Sequence, residues 1–122
     1  MTAMLRGIRG ATTVEADDAG EIRLRTQELV REMLSRNDVK ADDLVSIIFT
    51  ATEDLNAAFP ATAARELGLD DVPLLGGREI AVPGALARCV RVLIHCYSER
   101  SRAEIRHVYL EGARVLRADL AE

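Results

Sequence analysis

The stretch that decides the fold is Arg88–Tyr97, with the sequence Arg-Cys-Val-Arg-Val-Leu-Ile-His-Cys-Tyr. Its middle residues are apolar and mostly β-branched, which predicts a strand. A strand directs alternate side chains to opposite faces. One face therefore carries Arg88, Val90, Val92, Ile94 and Cys96. The other carries Cys89, Arg91, Leu93, His95 and Tyr97.

Arg91 lies in the middle of this strand among apolar neighbours. A guanidinium group is costly there unless something compensates its charge. Three arrangements meet this condition: an edge strand that leaves Arg91 in water, a carboxylate of the protein beside it, or a bound anion. The strand alone leaves the three alternatives open.

The hydrophobic patterns on both sides of this stretch predict further strands and two helices. Strand Leu5–Thr13 contains Gly7 and Gly10, which often mark a close backbone approach or a bulge and leave space beside Arg9 for a ligand. The first elements expected after it are a helix capped by Asp17 or Asp18 and ending near Asn37, strand Leu44–Thr52, and helix Ala61–Leu67, which ends at Gly68.

The chain then continues with strand Val72–Leu75, broken by Gly76-Gly77, a turn at Pro83-Gly84 and, after the strand at Arg88, a capped turn at Ser101–Glu104. The last elements expected are strand Ile105–Leu110, with Ile105, His107 and Tyr109 on one face, and a helical turn at Glu111–Leu116.

This order predicts an α+β fold, in which a mixed β-sheet is covered on one face by a long helix. The long helix has a single apolar stripe, formed by Ile22, Leu29, Val30, Met33 and Leu34. One helix covers only one face of such a sheet. We expect the other face to be covered by association with further subunits.

Length and composition predict one domain, residues 1–122, of an ordinary soluble protein. Hydrophobic residues make up 48% and charged residues 30% of the chain. The net charge of −4 argues against a nucleic-acid partner, and no apolar run has the ~18 residues of a membrane span. The N-terminus lacks the apolar core of a signal peptide, so we expect a cytoplasmic protein without a membrane partner.

The sequence offers no motif for covalent or metal-dependent catalysis. Cys89 and Cys96 are seven residues apart, which places them on opposite faces of one strand, and His95 and His107 lack ligand spacing. What remains is a set of polar residues on apolar strands or after a glycine break: Arg9, Glu79, Arg91 and Tyr109. Such a set suits the binding of a polyanion with hydroxyl groups, and catalysis by orientation and charge stabilisation.

Several blocks of the sequence resemble the monofunctional chorismate mutases of the trimeric α/β class. The first is Arg-Gly-Ile-Arg-Gly-Ala-Thr-Thr-Val at Arg6–Val14. The others are Ala51–Ala61 (Ala-Thr-Glu-Asp-Leu-Asn-Ala-Ala-Phe-Pro-Ala), Ala64–Leu67, Val-Pro at Val72, Cys89–Val92 and Ile105–Leu120 (Ile-Arg-His-Val-Tyr-Leu-Glu-Gly-Ala-Arg-Val-Leu-Arg-Ala-Asp-Leu). The blocks follow the family's order over nearly the whole chain.

The resemblance implies an isomerase that converts chorismate to prephenate, by a Claisen rearrangement, in phenylalanine and tyrosine biosynthesis. It implies a homotrimer resembling a pseudo-α/β barrel, with active sites at the subunit interfaces, no cofactor, no metal and no covalent intermediate. Two other classes stay open: an imine or enamine deaminase on a similar trimeric framework, and a non-catalytic binder of an aromatic-pathway acid.

The resemblance also implies roles for individual residues. Arg91 would meet the ether oxygen, Glu79 would accept a hydrogen bond from the ring hydroxyl, and Arg9 and Tyr109 would contact substrate carboxylates. The remaining substrate-binding residues would be Phe59 from the neighbouring subunit, Arg65 near the mouth, the backbone of Gly76, and Leu116 and Arg117 in a closing C-terminal segment. The chain departs from the family at Gly76, where a Cys is usual, and at Thr62, where a Lys is usual.

Overall fold

The computed structural model describes residues 2–116, which form one five-stranded mixed sheet with a long helix packed against it. The strands lie side by side in the order β3-β2-β4-β1-β5. In chain order the elements are β1 (Met4–Thr13), α1 (Ala19–Arg36), β2 (Leu44–Ala51), α2 (Ala61–Glu66), β3 (Leu74–Arg78), β4 (Cys89–Ser98) and β5 (Val108–Tyr109), with short 3-10 turns at Ala41–Asp43, Arg102–Glu104 and Glu111–Val115. The predicted α+β fold is confirmed.

Strand β4 is the centre of the sheet. It pairs antiparallel with β1 over ten residues, from Met4 opposite Ser98 to Thr13 opposite Cys89. On its other side it pairs antiparallel with β2. The outer strands β3 and β5 run parallel to β2 and β1. Arg91 therefore lies on an interior strand, which removes the edge-strand alternative.

Helix α1 begins and ends with side-chain hydrogen bonds to backbone groups. The Asp18 carboxylate accepts the Glu21 N–H at 2.9 Å, which satisfies one of the unpaired amides of the first turn. At the other end the buried Asn37 side-chain amide donates to the carbonyls of Met33 and Arg106, both at 2.8 Å. The second of these bonds joins the helix end to the segment that precedes β5.

The main core lies between α1 and one face of the sheet. It takes the fully buried Ile22, Leu29, Val30 and Met33 from the helix, as the apolar stripe predicts. The sheet contributes alternate positions of its inner strands: Ile8, Ile47, Phe49, Val90, Val92, Ile94 and Cys96. The alternation predicted for Arg88–Tyr97 is confirmed, because Val90–Cys96 face the core at every second position.

Gly10 is the point of closest approach between α1 and β1. A Cβ atom there would lie 2.4 Å from the Met33 sulfur and 3.1 Å from Leu29 Cδ1. A Cβ atom on Gly7 would meet only Leu93 Cδ1, at 3.8 Å, an ordinary contact. The predicted close approach is therefore confirmed for Gly10 alone.

Two strand predictions are wrong in their extent. Strand β3 spans Leu74–Arg78 and includes Gly76 and Gly77, because pairing with Phe49 and Thr50 of β2 outweighs the poor strand propensity of glycine. Strand β5 contains only Val108 and Tyr109, since only these residues continue the pairing with β1. Ile105 and Tyr109 pack in different clusters, so they do not share one face.

Within residues 2–116, much of the other face of the sheet is open. A small second cluster of Ala11, Cys89, Tyr109 and Ala113 covers one end of it, with Leu86 and Leu116 packed alongside. Large apolar side chains are exposed near its edges, among them Leu75 (64%) and Ile80 (84%). Cys89 and Cys96 are free thiols on opposite faces, as predicted.

We predict that Gly10→Ala lowers the free energy of unfolding by ~1–3 kcal/mol, since overpacking forces Met33 and Leu29 to move within a filled core. Gly7→Ala is the matched control, because its methyl group makes an ordinary contact. Urea unfolding monitored by circular dichroism measures both. Equal stabilities of the two variants would contradict this account of Gly10.

Candidate active site

A cleft of about 280 Å³ opens on the uncovered face of the sheet. Strands β1, β4 and β5 contribute Arg9, Arg91 and Tyr109 to its walls. Glu79, which follows β3, completes the set of four residues that the sequence singles out for chemistry. The fold thus brings together residues that are separated by up to a hundred positions along the chain.

Arg91 is held in the middle of the sheet by its strand. Ala11 of β1 lies opposite it on one side and Thr50 of β2 on the other. The Arg91 Nε atom lies 3.7 Å from Glu79 Oε1, and the Arg91 side chain keeps 48% of its exposure. Its charge is therefore partly balanced by a protein carboxylate, while much of the guanidinium group faces the cleft.

Glu79 is fixed at two points although it lies beyond the end of β3. Its backbone N–H donates to the Ala51 carbonyl at 2.9 Å, which extends the contact of this segment with β2. Its side-chain Oε2 accepts a hydrogen bond from the Thr50 hydroxyl. The Glu79 side chain is 27% exposed, so the carboxylate is accessible from the cleft.

Arg9 and Tyr109 line the opposite end of the cleft. The Arg9 backbone N–H donates to the His107 ring nitrogen Nδ1 at 3.0 Å, which ties the middle of β1 to the segment before β5. Tyr109 pairs with Ala11 and is only 3% exposed. Arg9 is an exposed residue and Tyr109 a buried one, so Arg9 offers an accessible charge and Tyr109 forms part of the cleft wall.

Four other predicted substrate-binding residues, all within residues 2–116, do not line this cleft. Phe59 is 79% exposed, and Arg65 is exposed on α2. Gly76 lies exposed on β3 with open space where a side chain would project. Leu116 packs against the small cluster that contains Tyr109. Arg117 lies outside the described residues.

Sequence reasoning missed Thr50. Alternation along β2 places Ile48 and Thr50 on the cleft face, since Ile47, Phe49 and Ala51 are buried toward α1. That pattern was available from the sequence, but a single Thr on a strand belongs to no motif. Its partner Glu79 is 29 residues away, and only the pairing of β2 with β3 brings the two together.

Cys89 lies beside this charged pair and stays protonated. Burial raises the pKa of its thiol from 9.0 to about 11, while the positive charge of Arg91 opposes the shift and the negative charge of Glu79 adds to it. A buried thiol with a raised pKa is a poor nucleophile. Residues 2–116 also contain no group of three or more side chains suited to hold a metal ion.

The cleft therefore offers two cations, one carboxylate and a phenol around an apolar floor. It can bind an anionic molecule with a hydroxyl group and place a guanidinium against a developing negative charge. A comparison with known families identifies the fold that carries it: residues 5–120 match the family model described as chorismate mutase type I.

The chain belongs to this family. It is 49% identical over 118 residues to the chorismate mutase AroH of Thermus thermophilus, covering 96% of this chain and 97% of that protein. It is 45% identical over 119 residues to the chorismate mutase AroH of Bacillus subtilis, covering 97% and 94%.

A solved structure leads to the same family. A chorismate mutase from Clostridium thermocellum superposes with a TM-score of 0.88 at 50% identity, covering 89% of this chain and 97% of that one. The predicted family, fold class and chorismate mutase activity, an isomerase reaction, are thereby confirmed. Among the described residues, none of the helices is long and apolar enough to cross a membrane.

We predict that Cys89 makes the protein less stable at high pH. The pKa of the Cys89 thiol is higher in the folded protein than in the unfolded chain. The contribution of this thiol to the free energy of unfolding is therefore fully present below pH 9 and is lost as the pH rises toward 11. Between pH 8 and pH 10.5 the wild type should lose ~1–2 kcal/mol more than Cys89→Ala, measured by urea unfolding. Equal losses in both proteins would contradict the raised pKa.

Proposed function

We propose that the cleft binds chorismate and rearranges it to prephenate. The observation that carries this proposal is the meeting of Arg9, Glu79, Arg91 and Tyr109, from three strands and the segment after β3, in one cleft. The reaction is intramolecular: the ether C–O bond breaks as a new C–C bond forms. No proton, electron or group is exchanged with the protein, so neither a nucleophile nor a cofactor is needed.

Arg91 supplies the main electrostatic contribution. As the C–O bond breaks, negative charge develops on the ether oxygen, and the half-exposed guanidinium group can donate a hydrogen bond to it. A fixed donor aimed at developing charge is worth ~3–4 kcal/mol, by analogy with the loss of one oxyanion-hole donor. The sheet holds Arg91 from both sides, so little reorganisation is required when the charge appears.

The other cleft residues orient the substrate. Glu79 accepts a hydrogen bond from the ring hydroxyl, while Arg9 and Tyr109 hold the carboxylates. Contacts at both ends of the molecule favour the compact shape in which the two reacting carbon atoms approach one another. A flexible substrate loses conformational entropy when it binds in its reactive geometry. That loss then no longer adds to the activation barrier of the chemical step.

We propose that three chains assemble and that each active site is completed by a neighbouring subunit. Phe59 and Arg65 are exposed and lie away from the cleft of their own chain, which suits a contribution to another. The open sheet face and the exposed Leu75, Ile80 and Val82 offer apolar area for such contacts. Leu116 and Arg117 would close the site.

Residues 1–122 act as one catalytic domain, without a metal or cofactor, in the cytoplasm. The departures at Gly76 and Thr62 leave the four cleft residues unchanged. At Gly76 a backbone N–H can still donate to the substrate, and at Thr62 the chain has one charge fewer near the entrance, which would slow the capture of a dianion.

We predict that replacing Arg91 by citrulline, an uncharged isostere, lowers kcat by about 10²–10³-fold or more, with a smaller effect on KM. The assay is the fall in chorismate absorbance on adding the purified protein. Arg31→Ala, on the outer face of α1, is the matched control and should leave kcat unchanged. Near-normal kcat in the citrulline protein would overturn the role of Arg91.

The assay also separates the alternatives. A wild-type protein that binds chorismate without consuming it would be a binder, and one that hydrolyses imines instead would be a deaminase. Either result would overturn the proposed function.

A second prediction tests the shared site. Arg91→Ala and Phe59→Ala homotrimers should both be impaired, but unfolding and refolding them together should yield activity above the average of the two. Some interfaces would then combine an intact Arg91 with an intact Phe59 from the neighbour. Light scattering should give three times the chain mass of 13.4 kDa. A mixture that merely averages its components would contradict the shared site.

A further inference from the structure

The Thr50 hydroxyl is the polar group in the cleft that the proposed reaction does not use. It lies on β2, directly opposite Arg91 of β4 and beside Gly77 of β3. Its hydroxyl donates to Glu79 Oε2, whereas the other carboxylate oxygen of Glu79 faces Arg91. Thr50 therefore contacts the carboxylate oxygen on the side away from Arg91, where it can fix the orientation of the carboxylate group.

Glu79 and Arg91 lie farther apart than the partners of a charge-assisted hydrogen bond. Charge-assisted hydrogen bonds between a guanidinium and a carboxylate are typically ~2.7–2.9 Å long, and such pairs are often bidentate. Here the Arg91 Nε and Glu79 Oε1 atoms are 3.7 Å apart, which is longer than a hydrogen bond of this kind. The two groups are close enough to attract but are not locked together.

Glu79 could otherwise close this gap. It follows the last residue of β3, and the segment from Glu79 to Arg88 has no regular secondary structure. A glutamate side chain has several rotatable bonds, so its carboxylate can reach a neighbouring cation unless something restrains it. A closed Arg91–Glu79 pair would occupy both the cation and the carboxylate that the substrate needs.

Thr50 is suited to act as that restraint. Its side chain is β-branched, so its first torsion angle is restricted. Its methyl group points toward Gly77, where an added Cβ would lie 3.8 Å from Thr50 Cγ2. This is an ordinary contact distance, so Gly77 does not crowd the methyl group, and the Thr50 hydroxyl donates to Glu79 Oε2.

We propose that Thr50 is a positioning residue, which holds the Glu79 carboxylate away from Arg91 so that both groups stay available to the substrate. This inference rests on the proposed function, since it assigns Thr50 a role through Glu79. It adds a residue that makes no contact of its own with the reacting atoms. Its effect belongs to the orientation of the catalytic groups, so it falls on kcat more than on KM.

The first test compares two substitutions at one position. Thr50→Val keeps the shape and removes the donor, and should lower kcat for chorismate about 10- to 100-fold, as expected for a hydrogen bond to a charged group. Thr50→Ser keeps the hydroxyl and should restore most of the activity. A Thr50→Val protein with normal kcat, or a Thr50→Ser protein as impaired as Thr50→Val, would overturn the proposal.

The second test asks whether Thr50 acts through Glu79. In a Glu79→Ala background there is no carboxylate to position, so adding Thr50→Val should change kcat by less than about twofold. An undiminished loss in that background would mean that Thr50 has a general structural role, and would overturn the proposal. If Thr50→Val does not fold, Thr50→Ala takes its place in the same cycle.

Thr12→Val is the matched control for exchanging a hydroxyl for a methyl group. Thr12 is fully buried on the helix-facing side of β1, and its hydroxyl has no hydrogen-bond partner among residues 2–116. Its kinetic constants should match those of the wild type. A wild type that does not consume chorismate would overturn the proposed function itself, whereas an active wild type with a normal Thr50→Val protein would overturn only the role of Thr50.

Discussion

The rest of the structure depends on the pairing of β4 with β1 on one side and β2 on the other. A strand in the middle of a sheet must bury its backbone polar groups in hydrogen bonds to both neighbours. Its side chains then have only two directions available. In β4 one direction gives Val90, Val92, Ile94 and Cys96 to the core, and the other gives Arg91 to the cleft.

Helix α1 covers only one of these faces, and this asymmetry leaves room for a site. The helix packs so closely on β1 that Gly10 has no space for a side chain. On the opposite face the described part of the chain provides only a small cluster around Tyr109, which leaves the middle of the sheet open. A site at the middle of a sheet is held by strands on both sides, which gives its groups fixed positions at small entropic cost.

The charges of the cleft are arranged to balance without cancelling. Without a partner, the Arg91 guanidinium charge among apolar neighbours would lower the stability of the fold. In a tight ion pair the guanidinium group would not be available to the substrate. Glu79 at 3.7 Å compensates part of the charge, and the Thr50 hydroxyl occupies the other carboxylate oxygen. Burial also keeps the Cys89 thiol neutral at ordinary pH, so this thiol adds no charge beside Arg91 and Glu79.

The sequence by itself determined the features that depend on local periodicity. The alternation of Arg88–Tyr97, the apolar stripe of α1 with a cap at Asp17 or Asp18, and a close backbone approach or bulge at Gly7 and Gly10 were predicted from side-chain direction and backbone geometry. Residue types in a recognisable order also indicated the family and four members of the site. These signals are contained within short stretches, so they can be read without knowing the fold.

Only the tertiary structure decided the features that depend on pairing between distant strands. The glycines of β3 predict a break in the strand, but pairing with β2 holds them in it. The last strand is shorter than predicted, since only Val108 and Tyr109 pair in register with β1. The role of Thr50 could not be predicted from the sequence for the same reason. It depends on the hydrogen bond to Glu79, and only the pairing of β2 with β3 brings the two residues together.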